Sequence, residues 1–281
     1  MNIRDGIAEA VKLLAEEPIG PPRMAAETLM MYVLGRDRSF VIAHPEQDLS
    51  GEQSAKFTAA VRERASGKPL QYITGHQEFW GLDLMVTPAV LIPRPETEHL
   101  VESALGKLKG GKLAHPRVID VGTGSGCIAL ALASELPSAD VHAVDISEEA
   151  LDVARRNAER LGLKARVRFL RSDLLAAVKE ERFDLVISNP PYVGRKEWEK
   201  VQREVREHEP DVAVFAGDHG IEIYGKLIPQ AYAVLNAEGW LMMEIGYTME
   251  AAVLDLLNVW RNISSVPDLQ GIPRVVMAQK A

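Results

Sequence analysis

The sequence has little cysteine and no long hydrophobic run. Its one cysteine, Cys127, excludes a disulfide within the chain and is typical of a protein from a reducing compartment. No apolar stretch approaches the ~18 residues that a membrane-spanning helix needs. No apolar core follows basic residues at the N-terminus, as a signal peptide would require. We therefore expect a cytoplasmic protein without membrane contact.

An excess of positive charge is also missing. The 281 residues include 32 Lys and Arg against 40 Asp and Glu, which gives a net charge of −8. A protein that holds nucleic acid through many phosphates needs a basic surface, so direct nucleic-acid binding is not expected. The seven histidines are scattered, with no pair at the spacing of metal ligands, and no metal site is predicted. The length and a hydrophobic content of 47% allow two domains with a sizeable core.

The most informative motif is Asn-Pro-Pro-Tyr at residues 189–192. It follows the apolar run Phe183–Ser188, which reads as a buried strand, so it lies at a strand's carboxyl end, where open α/β sheets bind ligands. The prolines stiffen the backbone and expose carbonyl acceptors, the asparagine adds a side-chain acceptor, and the tyrosine adds a flat face. This set suits a planar group that bears an NH2, such as a carboxamide or the amine of a base. A proline-rich turn with a packing tyrosine is the alternative.

A glycine-rich loop follows an earlier strand. Arg117–Val121 reads as a strand, and the apolar residues 127–133 after the loop read as a helix. The pattern is Asp-x-Gly-x-Gly-x-Gly, which differs from the Gly-x-Gly-x-x-Gly of nicotinamide enzymes. Glycines permit a tight turn with positive φ and let a ligand approach bare backbone. We expect the amino-acid end of S-adenosylmethionine against this loop. The cofactor-binding candidates here are Asp120, Gly122, Thr123, Gly124, Ser125 and Gly126.

Acids follow the next two predicted strands. Asp145 ends the strand at residues 141–145, about twenty residues beyond the glycines, where an acid commonly binds the ribose hydroxyls. The strand at residues 167–170 leads to Asp173 and Leu174, which are placed to accept from an adenine amino group and to flank its ring. Each acid could instead cap a helix. Taken together with the Asn-Pro-Pro-Tyr loop, where Asn189 also faces the cofactor, they predict a methyltransferase.

The order of elements indicates two parts. Helical periodicity predicts a small bundle over residues 1–70, from helices at 3–17, 24–34, 39–44 and 50–65, the last capped by Ser50. Alternating apolar residues around a glycine at 79–86 predict a hairpin within a linker at residues 71–98. Residues 99–281 alternate strands and helices and end with strands at 240–245, 263–266 and 274–278. Such alternation implies a mostly parallel sheet with helices on both faces.

Several segments together resemble one family. They are residues 69–75, 78–79, 91–98, 204–205, 209–210, 268–271 and 274–276, with the glycine loop and Asn-Pro-Pro-Tyr. On these the chain resembles, nearly end to end, the HemK family of peptide chain release factor N5-glutamine methyltransferases. Asn-Pro-Pro-Tyr alone also marks amino-methyltransferases that act on adenine, and segments 71–75 and 92–98 narrow the match. Ile272 and Pro273 replace residues that are usually charged, and Leu174 replaces an aromatic found in some members.

The resemblance implies a fold, a cofactor and a substrate. The fold is a seven-stranded Rossmann-like class I methyltransferase domain, preceded by a small helical bundle domain and a β-hairpin linker. The enzyme would take a methyl group from S-adenosylmethionine, leaving S-adenosylhomocysteine, and place it on the glutamine of the Gly-Gly-Gln motif in bacterial class I release factors. The helical domain would dock that protein. The alternatives are an N6-adenine methyltransferase on DNA or RNA and a glutamine methyltransferase of a ribosomal protein.

The predicted catalytic residues are the four of the motif. We expect the Asn189 side-chain oxygen and the Pro190 carbonyl each to accept one N–H of the substrate amide. Tyr192 would pack on the amide plane and Pro191 would hold the turn. Two earlier residues, Arg94 and Glu96, are placed either in the cofactor pocket or in an interdomain salt bridge, and the sequence favours neither.

Overall fold

The computed structural model describes residues 1–17, 20–109 and 113–281. These residues form two compact units. One comprises residues 1–76 and 202–208, and the other comprises residues 77–201 and 209–281. The chain therefore builds most of the second unit before a short segment returns to the first. None of the helices in the described residues is both long and apolar enough to cross a bilayer.

The element bounds follow the chain. The helices are α1 (Ile3–Leu14), α2 (Pro22–Leu34), α3 (Arg38–Ala43), α4 (Gly51–Ala65), α5 (Leu70–Thr74), α6 (Glu98–Lys109), α7 (Cys127–Glu135), α8 (Glu148–Arg160), α9 (Arg203–His208), α10 (Asp211–Val214), α11 (Glu222–Val234) and α12 (Glu250–Asp255). The strands are β1 (His76–Phe79), β2 (Leu82–Met85), β3 (Arg117–Val121), β4 (Asp140–Asp145), β5 (Val167–Arg171), β6 (Phe183–Ser188), β7 (Leu235–Glu244), β8 (Arg261–Pro267) and β9 (Pro273–Gln279). A short 3₁₀ turn, Pro95–Thr97, precedes α6.

The helices of the first unit begin and end where local chemistry directs. Ser50 caps α4 through a reciprocal pair with Gln53, each side chain accepting the other's backbone N–H, as the sequence predicted. Helix α2 ends at Gly35, whose φ of 61° closes the last turn. It begins at Pro22, earlier than predicted, because proline is tolerated in the first helical turn. The apolar side of these helices packs into one cluster, including Leu14, Leu29, Met30 and Phe57.

A buried ion pair joins the returning segment to the bundle. The guanidinium of Arg64, on α4, is 2.5 Å from the carboxylate of Glu204 on α9, and Arg64 is only 4% exposed. Arg64 also donates to the Lys68 carbonyl at 2.8 Å. A buried charge needs a partner of opposite sign, and here residues 202–208 supply it. This contact ties α9 to α4 within the first unit.

The second unit is built on a seven-stranded sheet, which confirms the predicted fold. Its strand order is β5-β4-β3-β6-β7-β9-β8. The first five strands are parallel, and the final two add an antiparallel edge. The chain builds outward from β3 through β4 to β5 and then returns to place β6 on the other side of β3. The loops that leave β3 and β6 therefore diverge at the sheet's topological switch point, where such folds bind ligands.

Two apolar clusters cover the opposite faces of this sheet. Val118 belongs to the cluster beneath α6 and α7, and its neighbour Ile119 belongs to the cluster beneath α11. Adjacent side chains of a strand point to opposite faces, so helices pack on both sides as the sequence predicted. Apart from His76, the hairpin of β1 and β2 also lies in this unit, with Phe79 and Leu84 buried in the first of these clusters.

The structure shows that the turn between β1 and β2 is tight. Trp80 and Gly81 have φ values of 55° and 71°, as a two-residue turn with both central residues left-handed requires. The backbone N–H of Trp80 donates to a Glu98 carboxylate oxygen at 2.8 Å, which links the turn to the start of α6. The Asn157 side chain then links β2 to α8 by accepting from the Met85 N–H and donating to the Met85 carbonyl.

Candidate active site

The glycine-rich loop after β3 has the conformation that its residues predict. Gly122, Gly124 and Gly126 have φ values of 73°, 56° and 85°, all left-handed. A Cβ at Gly122 or Gly124 would meet no atom within 4 Å, so the loop faces open space where a ligand can approach the backbone. A Cβ at Gly126 would lie 3.1 Å from Leu130 and 3.2 Å from Ala154. Gly126 therefore serves the packing of α7 against α8.

Asp120 holds this loop from behind. Its Oδ2 accepts from the Thr123 hydroxyl at 2.6 Å and from the Ala129 N–H at 3.2 Å, so one carboxylate ties the loop to the first turn of α7. Asp120 is fully buried, and that burial raises its pKa to about 7. It does not line the cleft described below. The structure thus places this predicted cofactor residue in support of the loop.

Substitution of Asp120 tests whether its carboxylate supports the glycine-rich loop. Asp120→Ala would leave two buried donors without an acceptor, at a cost of about 1–3 kcal/mol each. We expect weaker cofactor binding by calorimetry and a lower free energy of unfolding. Asp120→Asn keeps one accepting oxygen. Its cofactor affinity and its free energy of unfolding should both lie between those of wild type and Asp120→Ala. An alanine variant that binds cofactor as tightly as wild type would contradict this role.

Asp145 connects β4 to the same loop. Its Oδ2 accepts from the Gly124 N–H and its Oδ1 from the Ser147 N–H, both at 2.9 Å. The cap of α8 is Ser147, whose hydroxyl accepts from the Ala150 N–H, so Asp145 is not itself the capping residue. Burial raises the pKa of Asp145. Each carboxylate oxygen has a second lone pair, which leaves Asp145 able to accept from a ligand hydroxyl.

A cleft of about 1070 Å³, counting the space open to solvent, lies over these loops. It is bounded by the ends of β3, β4, β5 and β6, by residues 89–97 and by Val212 and Ala213 of α10. Among the sequence-predicted site residues, the structure brings together Gly122, Thr123, Gly124, Ser125, Asp145, Asp173, Leu174, Asn189 and Pro191 around it. Asp120, Gly126, Pro190 and Tyr192 are not among its lining residues.

The Asn-Pro-Pro-Tyr loop begins with an oriented side chain. Asn189 Nδ2 donates to the Thr97 hydroxyl oxygen at 3.0 Å, and that hydroxyl donates to Glu244 Oε2 at 2.6 Å. The amide nitrogen of Asn189 is therefore engaged with protein, and Oδ1 is the acceptor that it offers to the cleft. The sequence did not identify Thr97 or Glu244 as site residues. The available signal was a carboxylate at the end of the apolar strand β7.

The rest of this loop packs into the fold. Pro190 is buried, and Tyr192 packs against the cluster beneath α11. A Cβ at Gly246 would lie 3.1 Å from the Tyr192 ring. Burial raises the pKa of the Tyr192 hydroxyl, which therefore stays protonated. Stacking of Tyr192 on a substrate amide remains a prediction.

Arg94 lies at the cleft and pairs within its own unit. It lines the cleft, and its guanidinium is 2.5 Å from the carboxylate of Glu209, a residue that is 6% exposed. Glu209 also accepts from the Ile92 N–H at 3.4 Å. Both partners belong to the second unit, so this ion pair holds the segment before α6 and is not an interdomain bridge. No group of three or more potential metal ligands lies close together within residues 1–17, 20–109 and 113–281.

Known protein families match residues in each of the two units. The PrmC N-terminal domain matches residues 6–75, and the Methyltransferase small domain matches residues 100–209. A release factor glutamine methyltransferase from Koribacter versatilis is 48% identical, over 100% of this chain and 99% of that protein. The chain belongs to the release factor glutamine methyltransferase family. The Escherichia coli relative of the same name is 41% identical over 99% of each chain. These matches confirm the resemblance that the sequence motifs indicated.

The fold is shared more widely. The crystal structure of a methyltransferase from Pyrococcus furiosus matches 72% of this chain and 90% of that one, with a TM-score of 0.53 and 22% identity. The methyltransferase domain and the names of the relatives imply that the methyl donor is S-adenosylmethionine. The residues that line the cleft fit that molecule. The loop at Gly122 and Gly124 leaves backbone open for the amino-acid end, and Asp145 has acceptor capacity for the ribose hydroxyls.

Proposed function

We propose that this enzyme methylates the side-chain amide nitrogen of the glutamine in the Gly-Gly-Gln motif of bacterial class I peptide chain release factors. The observation that carries the proposal is the orientation of Asn189. Its nitrogen is bound to Thr97, so its oxygen is directed as an acceptor beside the predicted cofactor residues. The names of the relatives, which match almost the whole chain, support a release factor as the substrate.

A carboxamide is a demanding substrate because its nitrogen lone pair is delocalised. That conjugation makes rotation about an amide C–N bond cost roughly 18–20 kcal/mol. In the proposed complex, Asn189 Oδ1 accepts one N–H of the glutamine amide and the Pro190 carbonyl accepts the other. Two acceptors increase the electron density on nitrogen and hold its reactive face toward the methyl donor. The base amine of adenine has the same planar geometry, which is why the motif alone did not separate these substrates.

The bound cofactor supplies a methyl group that is already activated by a sulfonium charge. The residues of this chain therefore need to align the amide more than to activate it, and alignment of this kind is worth ~7–11 kcal/mol. The rigid Pro190-Pro191 backbone restricts the loop, so the acceptors do not have to be ordered on binding. The amide nitrogen gains a methyl and loses one proton to water.

The first unit is proposed as the docking part for the protein substrate. The predicted docking domain, residues 1–70, falls within this unit, and the PrmC N-terminal domain matches residues 6–75. All the residues that line the cleft belong to the second unit. A division of labour follows, in which the second unit holds the reacting groups and the first recognises the folded factor.

Mass spectrometry of a methylated release factor tests this function. After incubation with S-adenosylmethionine, we expect one added methyl on the glutamine of the Gly-Gly-Gln peptide. A factor in which that glutamine is replaced by glutamate is the control, because it lacks the NH2 that the loop would hold. A short peptide containing the motif should be methylated much less efficiently than the intact factor if docking contributes. Methylation of another residue, of a ribosomal protein or of nucleic acid in place of this glutamine would contradict the proposal.

A further inference from the structure

A buried chain of hydrogen bonds lies behind the Asn-Pro-Pro-Tyr loop. It runs from Asn189 Nδ2 to the Thr97 hydroxyl at 3.0 Å and from that hydroxyl to Glu244 Oε2 at 2.6 Å. Thr97 and Glu244 are each 2% exposed. The three residues come from the loop after β6, the 3₁₀ turn before α6 and the end of β7, so the fold brings together side chains far apart in sequence. All of them lie in the second unit.

The chemistry of the three side chains fixes the donor-to-acceptor direction of these hydrogen bonds. An ionised carboxylate only accepts hydrogen bonds, and a hydroxyl has one hydrogen to donate. Because Thr97 gives that hydrogen to Glu244, its oxygen can only accept from Asn189. The asparagine must then turn its nitrogen toward Thr97 and its oxygen toward the cleft. We propose that Glu244, acting through Thr97, sets the orientation of the Asn189 amide, and that both are positioning residues for methyl transfer.

The opposite direction would disable the acceptor. If Glu244 carried a proton, its hydroxyl could donate a hydrogen bond to Thr97. The Thr97 hydroxyl would then be free to donate its own hydrogen bond to Asn189 Oδ1. The Asn189 NH2 would face the cleft, and a donor would meet the NH2 of the substrate glutamine. Two donors cannot form a hydrogen bond with each other. The proposal rests on the proposed function, since it requires Asn189 to accept from the substrate amide.

The surroundings of Glu244 allow both protonation states near neutral pH. Burial raises its pKa to about 7, although the hydrogen bond from Thr97 lowers it. The other charged or titratable side chains that face it come from the elements packed around it. They are Arg94 and Glu96 before α6, Cys127 in α7, Tyr192 after β6, Tyr224 in α11 and Arg274 in β9. The carboxylate fraction grows as pH rises through about 7, so the productive orientation should grow with it.

The kinetics of three full-length variants test the role of the hydrogen bonds from Asn189 through Thr97 to Glu244. Thr97→Val keeps the shape of the side chain but removes the hydroxyl, and we expect kcat for the release factor to fall about 10-fold, the value of one oriented hydrogen bond. Thr97→Ser keeps the hydroxyl and should restore most of kcat. We expect wild-type kcat to rise with pH through about 7 and Glu244→Gln to lose that rise. Cofactor affinity, measured by calorimetry, should stay close to wild type in Glu244→Gln, because Glu244 does not line the cleft.

A second readout does not depend on turnover. The side-chain NH2 signal of Asn189 in a ¹⁵N NMR spectrum can be assigned by its loss in Asn189→Ala. We expect slower hydrogen exchange of this NH2 in wild type and Thr97→Ser than in Thr97→Val, because only the first two retain the acceptor. A purely structural role for Thr97 would change the thermal unfolding temperature without changing the pH profile.

The outcomes separate this inference from the proposed function. A wild-type enzyme that leaves the Gly-Gly-Gln glutamine unmethylated would overturn the proposed function, and the NMR comparison would still report on the hydrogen bonds from Asn189 to Glu244. An Asn189→Ala enzyme that methylates the glutamine at the wild-type rate would overturn the acceptor role of Asn189 and, with it, this inference. An inactive Asn189→Ala together with wild-type kcat in Thr97→Val would overturn the inference alone. If Thr97→Val does not fold, a Glu244→Gln enzyme that keeps the wild-type pH dependence would also overturn it.

Discussion

Asn189→Ala is expected to lower kcat for glutamine methylation by about 100- to 1000-fold, as the loss of one preorganised hydrogen-bonding group commonly does. The substitution removes the side-chain acceptor that we assign to the substrate amide. Asn189 is half-buried and its nitrogen makes one hydrogen bond, to Thr97, so the fold should change little. The measurement is single-turnover transfer of a labelled methyl to the release factor, with cofactor affinity determined on the same preparation.

Asn189→Asp is the matched control for that experiment. It keeps an accepting oxygen toward the cleft but cannot donate to Thr97, and it adds a negative charge near the buried Glu244. We expect activity between those of wild type and the alanine variant. If Asn189→Ala turns over at nearly the wild-type rate with cofactor binding intact, the assignment of this loop is wrong.

Gly220→Ala should destabilise the second unit and disturb the same loop from outside it. A Cβ at Gly220 would lie 2.4 Å from the Tyr192 carbonyl oxygen and 2.8 Å from Met249 Cε. The residue also has a φ of 86°, which costs an L-amino acid energy. Together, strain and overpacking should lower the free energy of unfolding by about 2–5 kcal/mol. Since the clash is with backbone of the Asn-Pro-Pro-Tyr loop, kcat should fall as well.

Segment 193–217 explains why that clash would reach the active site. The Val193 N–H donates to the Val214 carbonyl, and the Ala216 N–H donates back to the Val193 carbonyl. The Arg195 N–H donates to the Gly217 carbonyl at 2.8 Å. These hydrogen bonds join the residues just after the Asn-Pro-Pro-Tyr loop to the residues just before Gly220. The backbone on either side of the clash is therefore restrained and cannot easily move apart.

Gly106→Ala provides the comparison for Gly220→Ala. Gly106 is exposed within α6, and a Cβ there would meet nothing within 4 Å. Alanine in a helix interior is favoured over glycine by about 0.5–1 kcal/mol, so this variant should be slightly more stable than wild type and equally active. Denaturant unfolding of wild type, Gly106→Ala and Gly220→Ala ranks the three proteins by their free energies of unfolding. Equal stability of Gly220→Ala and wild type would show that the contact with Tyr192 is not tight.

The features that could be read from sequence have local causes. The left-handed glycines of the loop after β3, the cap at Ser50 and the turn at Trp80 and Gly81 each depend on residues within a few positions of one another. The strands were visible because short apolar runs end in polar or glycine residues. The carboxyl-end rule for open sheets then predicted that the loops at residues 122–126 and 189–192 would meet, and the cleft brings residues of both together.

Other features depended on strand order and packing. Asp120 belongs to the same motif as the glycines, yet its position on β3 points it behind the loop toward Thr123 and Ala129. The pairing of Arg94 with Glu209 joins residues 115 positions apart, and that of Thr97 with Glu244 joins residues 147 positions apart. No local preference of either partner signals such a contact.

By itself, then, the sequence determined the family, the parallel sheet and the loops that carry the chemistry, because backbone conformation at glycine, proline and capping residues is a short-range property. The tertiary structure alone decided which way Asn189 points. That orientation depends on Thr97 and Glu244 being brought beside it when β6 and β7 pair and the turn before α6 packs against them. A hydrogen-bond chain between distant segments exists only once the sheet has formed.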